Sequence, residues 1–259
     1  MPLADVLEEA KRIMQAAEQQ QLVLRLVGGI AIKLHCPSAE HRNLARAYPD
    51  IDFFSYTKLS KRLGSFFQEL EYEPAKLFNA LQGKRKLLFM DANNRRRVDI
   101  FLDVFEMCHK FDFRNRLELD RWTLAPADLL VTKLQVIEMN EKDYKDIVAL
   151  LLDHEIGDDD GPEMINGRYL SKLCAKEWGI HRTFTRNLGW VSDALDKYVD
   201  SDENMQLVKS RIDALLHRIE QEPKTLQWKA RATVGEKVQW YELPEAPKIQ
   251  AFENQNEDS

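Results

Sequence analysis

No apolar run in this 259-residue chain approaches the roughly 20 residues needed to cross a bilayer, so no membrane span is expected. The N-terminus, Met1-Pro2-Leu3-Ala4-Asp5-Val6, lacks a charged region followed by an apolar stretch. No secretory signal is expected there, and the reading is of a cytoplasmic protein. Cysteine is scarce. Cys36, Cys108 and Cys174 are far apart and odd in number, which argues for reduced thiols and against a disulfide frame or a zinc site. The histidines are scattered, none spaced with Cys36 or Cys108 as zinc ligands are. An excess of positive charge is missing too. A net charge of −6 and a pI near 5.6 argue against extensive nucleic-acid binding through phosphate neutralisation, while leaving room for a local basic groove. No internal repeat is present.

What is there is an ordinary soluble composition, 31% charged and 44% hydrophobic, in a length that suits one large domain or two small ones. Residues 4–19 place Val6, Leu7, Ala10, Ile13, Met14 and Ala17 at helical spacing. Leu22 to Val27 reads as a buried strand interrupted by Arg25, then Gly28-Gly29 turns the chain into a short helix over 30–34. Residues 38–49 are polar and read as a loop. Strands are expected over 51–56, 86–90 and 97–105, and a helix over 58–70. From Pro126 the period becomes helical. Asp158-Asp159-Asp160-Gly161-Pro162 is a breaker and a plausible module boundary. Three helices are expected at 169–178, 183–198 and 205–219, then a hairpin or arm over 228–241. The acidic end is expected to be disordered.

The most informative stretch is Tyr48-Pro49-Asp50-Ile51-Asp52-Phe53-Phe54. Residues i and i+2 of a strand point to the same face, so Asp50 and Asp52 offer paired carboxylate oxygens. Mg²⁺ prefers such ligands, with a substrate phosphate completing its shell. Upstream, Gly28-Gly29 between strand and helix allows close approach of backbone to a phosphate. An Asp-x-Asp alone is common on solvated strand faces, and a glycine pair alone serves any turn. The combination with Arg97-Val98-Asp99-Ile100-Phe101 downstream is what gives the pattern weight.

These residues resemble the nucleotidyltransferase fold of the polymerase β superfamily. The nearer likeness is to its small bacterial members, the aminoglycoside nucleotidyltransferases and the nucleotidyltransferase toxins of abortive-infection systems. Ala127 to Leu134, with Lys133, followed by Lys142-Asp143-Tyr144-Lys145-Asp146, is similar to a helical lysine and Lys-Asp-x-x-Asp run in those relatives. The resemblance covers roughly residues 20–155. It implies an α/β (α+β) fold, a mixed sheet flanked by helices in a core of residues 1–157; beyond its reach, the breaker and the helical spacing give a C-terminal helical module with a short arm at 162–243 and a tail at 244–259.

The activity implied is that of an EC 2.7.7-type enzyme. It would move a nucleoside monophosphate from a nucleoside triphosphate to a hydroxyl of a small molecule, a tRNA end or a protein side chain, releasing pyrophosphate. Asp50, Asp52 and Asp99 would hold two Mg²⁺ ions and serve catalysis. Gly28, Gly29, Lys133, Asp143 and Asp146 would bind the nucleotide. Asp103 fits the third-carboxylate pattern as well, Asp99 being the closer match.

Other readings stay beside these. Lys133 alone reads as a lysine snorkelling from an apolar face, and Asp143 and Asp146 as helix-capping or surface charges. Arg42, Arg46 and Arg95-Arg96-Arg97 are either solvated charge or phosphate receivers. The connector of residues 30–49 is longer than the superfamily usually has and sits at the mouth of the expected site. A retained fold that binds a nucleotide or partner without catalysis is the alternative function, and a toxin-like nucleotidyltransferase is another.

Overall fold

The computed structural model describes residues 1–161 and 163–243. Pro162 and the expected tail at 244–259 lie outside the described residues. Helix α1 (Val6–Gln19) starts at Asp5, whose carboxylate accepts from the N–H groups of Leu7 and Glu8 at 2.9 Å. It buries Ala10, Ile13, Met14 and Ala17 as one stripe. Glu9 is buried beside them and is satisfied by Arg12 and the Tyr72 hydroxyl.

The chain then runs through β1 (Leu24–Val27), α2 (Gly28–His35), β2 (Ile51–Ser55), α3 (Ser60–Glu69), β3 (Glu73–Pro74), α4 (Lys76–Gln82), β4 (Lys86–Asp91) and β5 (Arg96–Leu102). The strands make one mixed sheet in the order β1-β2-β5-β4-β3. Only β2 and β5 are parallel, and their register sets Asp52 opposite Asp99. The crossover between them carries α3, α4 and the β4 hairpin. Because successive side chains alternate faces, Ile51, Phe53, Val98 and Ile100 take one face, where Phe53 and Phe89 pack on Phe67 of α3. Asp52, Phe54, Asp99 and Phe101 take the other, where Phe54 stacks on Phe101 and meets the edge of Phe113.

Next come β6 (Val104–Glu106), β7 (Lys110–Asp112), α5 (Pro126–Leu134), α6 (Glu141–Asp153), β8 (Glu155–Gly157), β9 (Met164–Asn166), α7 (Gly167–Lys176), α8 (Trp178–Asp193), α9 (Asp202–Gln221) and α10 (Leu226–Val234). The C-terminal region is helical, and most of its buried apolar side chains belong to the same continuous cluster, running from Ala10 to Ile219. It also supplies polar clamps. Asn187 of α8 donates to the carbonyls of Leu134 and Val136 at 2.9 and 2.7 Å, satisfying the end of α5. Arg211 of α9 does the same for Leu151 and Leu152 of α6. No helix among the described residues is long and apolar enough to cross a membrane.

Three expectations change. The short helix after β1 begins at Gly28 itself, so both glycines lie inside its first turn. The strand expected over 97–105 breaks at Asp103, which is left-handed (φ 58°) and accepts from the Thr57 N–H. That bend removes Asp103 from the face of Asp99. The segment 228–241 is not a hairpin: Thr225 caps α10, and Gly235, at φ 59°, ends it. The chain then folds back so that Trp240 meets the edge of Trp178 and donates to Thr183.

Candidate active site

β1 ends where α2 begins, beside the start of β2, because β1 pairs antiparallel with β2 and Val27 faces Asp52 in register. Gly28 is therefore held against the Asp52 carboxylate. A Cβ at Gly28 would lie 2.8 Å from Asp52 Oδ2, and the residue is left-handed (φ 71°), so only glycine fits without strain. No side chain caps α2, which leaves its first amides open toward an anion.

The parallel register puts Asp52 beside Asp99. Asp99 is 3% exposed. Its Oδ2 is 2.8 Å from Lys86 Nζ and 3.2 Å from Arg97 Nη2. Its Oδ1 is buried with no hydrogen-bond partner among the described residues. Burial and then the neighbouring Asp99 charge push the Asp52 carboxyl up to about 6. Asp50 precedes β2 and is more open. The same Arg97 Nη2 lies 3.8 Å from it, so one guanidinium bridges Asp50 and Asp99.

Among the described residues, no three His, Cys, Asp or Glu side chains converge as a ready-made metal cage. What does converge is the Asp52–Asp99 pair, with one orphaned buried oxygen, and Asp50 at its rim. An unpartnered buried carboxylate oxygen is costly unless a cation or donor joins it. Mg²⁺ commonly takes only one or two carboxylates and fills its shell with phosphate and water. The residues present fit such an ion.

A second charged group closes the other side. Lys133, on α5, lies 2.8 Å from Asp146 Oδ2 and 3.5 Å from Asp143 Oδ1. Burial pulls its ammonium down, but Asp146 and Asp143 outweigh that and hold it above its ordinary value. Arg46, from the connector before β2, grips Asp146 with two bonds, Nε to Oδ1 at 2.9 Å and Nη2 to Oδ2 at 2.8 Å. Its guanidinium lies over the Tyr48 ring and fills the space where a Cβ of Gly29 would be, 1.9 Å from Nη2. Gly29 thus admits Arg46 rather than open space. Asp143 also closes a capping box with Asn140, so it serves both the helix start and Lys133.

Gly28, Gly29, Asp50, Asp52, Asp99, Lys133, Asp143 and Asp146 all lie around this one region, while Asp103 lies at the far end of β5. The three arginines of the 95–97 run separate: Arg95 is exposed in the β4–β5 turn, Arg96 is buried against Asp91 at 2.7 Å, and Arg97 reaches the carboxylates. Lys86 is the one site neighbour sequence reading passed over. It opens an apolar strand, and only the β4–β5 pairing brings it to Asp99.

No curated relative matches the chain. A family model described as "Nucleotidyltransferase of unknown function" matches residues 1–165, which takes in every one of these site residues. The chain belongs to that nucleotidyltransferase family, DUF6036.

Proposed function

We propose that the protein is a Mg²⁺-dependent enzyme of EC 2.7.7 type that transfers a nucleoside monophosphate from a nucleoside triphosphate to a hydroxyl, with pyrophosphate as the other product. The observation that carries the reading is the buried, unpartnered Asp99 Oδ1 set in register beside Asp52, in a chain of a nucleotidyltransferase family. Asp52 and Asp99 would hold the metal, with Asp50 joining from the rim. When bound, the ion supplies charge stabilisation for the attacking and leaving oxygens of an in-line displacement.

The chain's own residues do the rest. The uncapped start of α2 receives phosphate oxygens through its N–H groups and helix dipole. Lys133 offers a compact cation, aimed by Asp146 and Asp143 on one side and by the Asn187 clamp on the end of its helix. Arg46 fixes Asp146 and, through it, the direction of that lysine. The Asp99 carboxylate would also help take the proton of the incoming hydroxyl. Lys86 and Arg97 balance the negative charge of the carboxylates.

The test is binding and turnover of the four nucleoside triphosphates with and without Mg²⁺, by calorimetry and pyrophosphate release, in wild type and in Asp99→Asn. Mg²⁺-dependent binding and release that vanish in the variant support the reading. Equal turnover by the variant overturns it.

A further inference from the structure

On the face of α6 away from Lys133 lies a cleft of about 510 Å³ between the connector, α6 and the turn that follows α8. A helix turns about 100° per residue. Asp143 and Asp146 therefore share the face that meets Lys133, while Glu141, Tyr144 and Lys145 share another, and those three line the cleft. Across from them stand Arg42 of the connector and Lys197 with Tyr198 of the turn.

Two features of the lining are chemically specific. Tyr144 and Tyr198 lie nearly parallel, 5.8 Å between centroids and 12° between planes, forming an aromatic wall that is only partly buried. Three cations, Arg42, Lys145 and Lys197, and one carboxylate, Glu141, line the cleft with it. Glu141 is taken by Lys145 at 2.9 Å, and Lys145 also donates to the carbonyl of Ala45. Arg42 and Lys197 are exposed and form no ion pair among the described residues. In a chain of net charge −6, a lining with three cations to one carboxylate beside stacked tyrosines is a local exception. Asn43 of the lining donates to the Asp200 carboxylate, which ties the connector to the segment before α9 and sets a second carboxylate at the rim.

We propose that this cleft is a nucleotide-binding site separate from the carboxylate site, taking a planar base against the tyrosine pair and a phosphate among the three cations. Aromatic faces accept any base, and lysine and arginine supply the phosphate contacts. The cleft is about one helix diameter, roughly 10 Å, from the Lys133–Asp146 pair, so a nucleotide seated here does not occupy the catalytic carboxylates. The chemistry is shared by two sources: a free nucleotide acting as an effector, and a residue within a single strand whose end reaches the carboxylates.

The experiment measures binding of a fluorescently labelled single-stranded RNA oligonucleotide by anisotropy, and of each nucleoside monophosphate by calorimetry. Both are run in EDTA, so that metal-dependent binding at the carboxylates is removed. Tyr198→Ala is expected to weaken binding at least about fivefold, the lower end of a lost stacking contact. Lys197→Glu, at an exposed position, is expected to weaken it and to lower its salt dependence by about one charge. Asp52→Asn is expected to bind as wild type. Monophosphate binding without strand binding assigns a free nucleotide, and tighter strand binding assigns a strand residue. The proposal is overturned if neither probe binds, if both cleft variants bind as wild type, or if Asp52→Asn loses binding as fully as they do. Pyrophosphate release is not part of this readout, so the catalytic reading stands or falls independently.

Discussion

Replacing Asp52 by asparagine should stabilise the metal-free protein while abolishing its activity. Asp52 is ionised at neutral pH at a cost, since burial and the Asp99 carboxylate raise it from the ordinary 3.8 to about 6. That displacement disfavours the folded anion by about 3 kcal/mol at most, and partial access to solvent reduces it to about 1–2 kcal/mol. Asparagine keeps the shape, removes the charge and presents an amide toward the carboxylate across the strand pair. The sign follows from linkage. Below about pH 4 the wild-type group is protonated in both folded and unfolded states, and the variant has no advantage. Between about pH 4 and 6 the unfolded chain ionises first, so wild-type stability falls and the gap opens; above about pH 6 it is constant. For a chain of this size the plateau corresponds to a melting-point rise of about 2–8 °C. Thermal unfolding in EDTA across this pH range measures it, with pyrophosphate release as the parallel assay. A variant that melts below wild type at neutral pH, or whose advantage grows toward low pH, would refute the reasoning.

Mg²⁺ affinity should fall about tenfold per pH unit below about pH 6, as Asp52 takes up a proton that the ion must displace, and calorimetric titration across that range reads it. Gly28→Ala should lose turnover and about 1–2 kcal/mol of stability, because a left-handed φ and a contact with the Asp52 carboxylate oppose the new methyl; activity and a denaturant melt check both. Arg46→Lys should raise the KM for triphosphate more than it lowers kcat, since one ammonium cannot reproduce the double grip on Asp146; steady-state kinetics decide. Lys133→Ala should remove triphosphate binding and destabilise by about 3–5 kcal/mol, leaving Asp143 without its ion pair and Asp146 with Arg46 alone; an unchanged calorimetric binding curve would contradict it.

Much of this site was legible as local pattern. The alternation through Asp50 to Phe54, the glycines after an apolar run, and Asp99 inside an apolar strand each depend on neighbours within a few residues. So does the helical spacing that puts Asp143 and Asp146 on one face. The individual strands and the helical C-terminal region follow from the same periodicities, while the mixed sheet was what the family resemblance implied. The hairpin alternative at 228–241 fails because the mixture of aromatic and basic residues there carries neither period cleanly, and the start of α10 rests on the Thr225 cap.

What the chain by itself determined is a set of candidate residues, three carboxylates and glycines at a turn, to which the family resemblance added a lysine. What only the tertiary structure decided is pairing. The parallel β2–β5 register chose Asp99 over Asp103, with a left-handed residue at 103 bending the chain away. The β4 hairpin brought Lys86 to Asp99, and the connector delivered Arg46 across 100 residues to Asp146. The clamps from Asn187 and Arg211 act over still unrelated stretches of sequence. A periodicity is set by local backbone geometry and survives in sequence, whereas a register or a long-range ion pair depends on how separate elements dock, and packing of the whole core sets that.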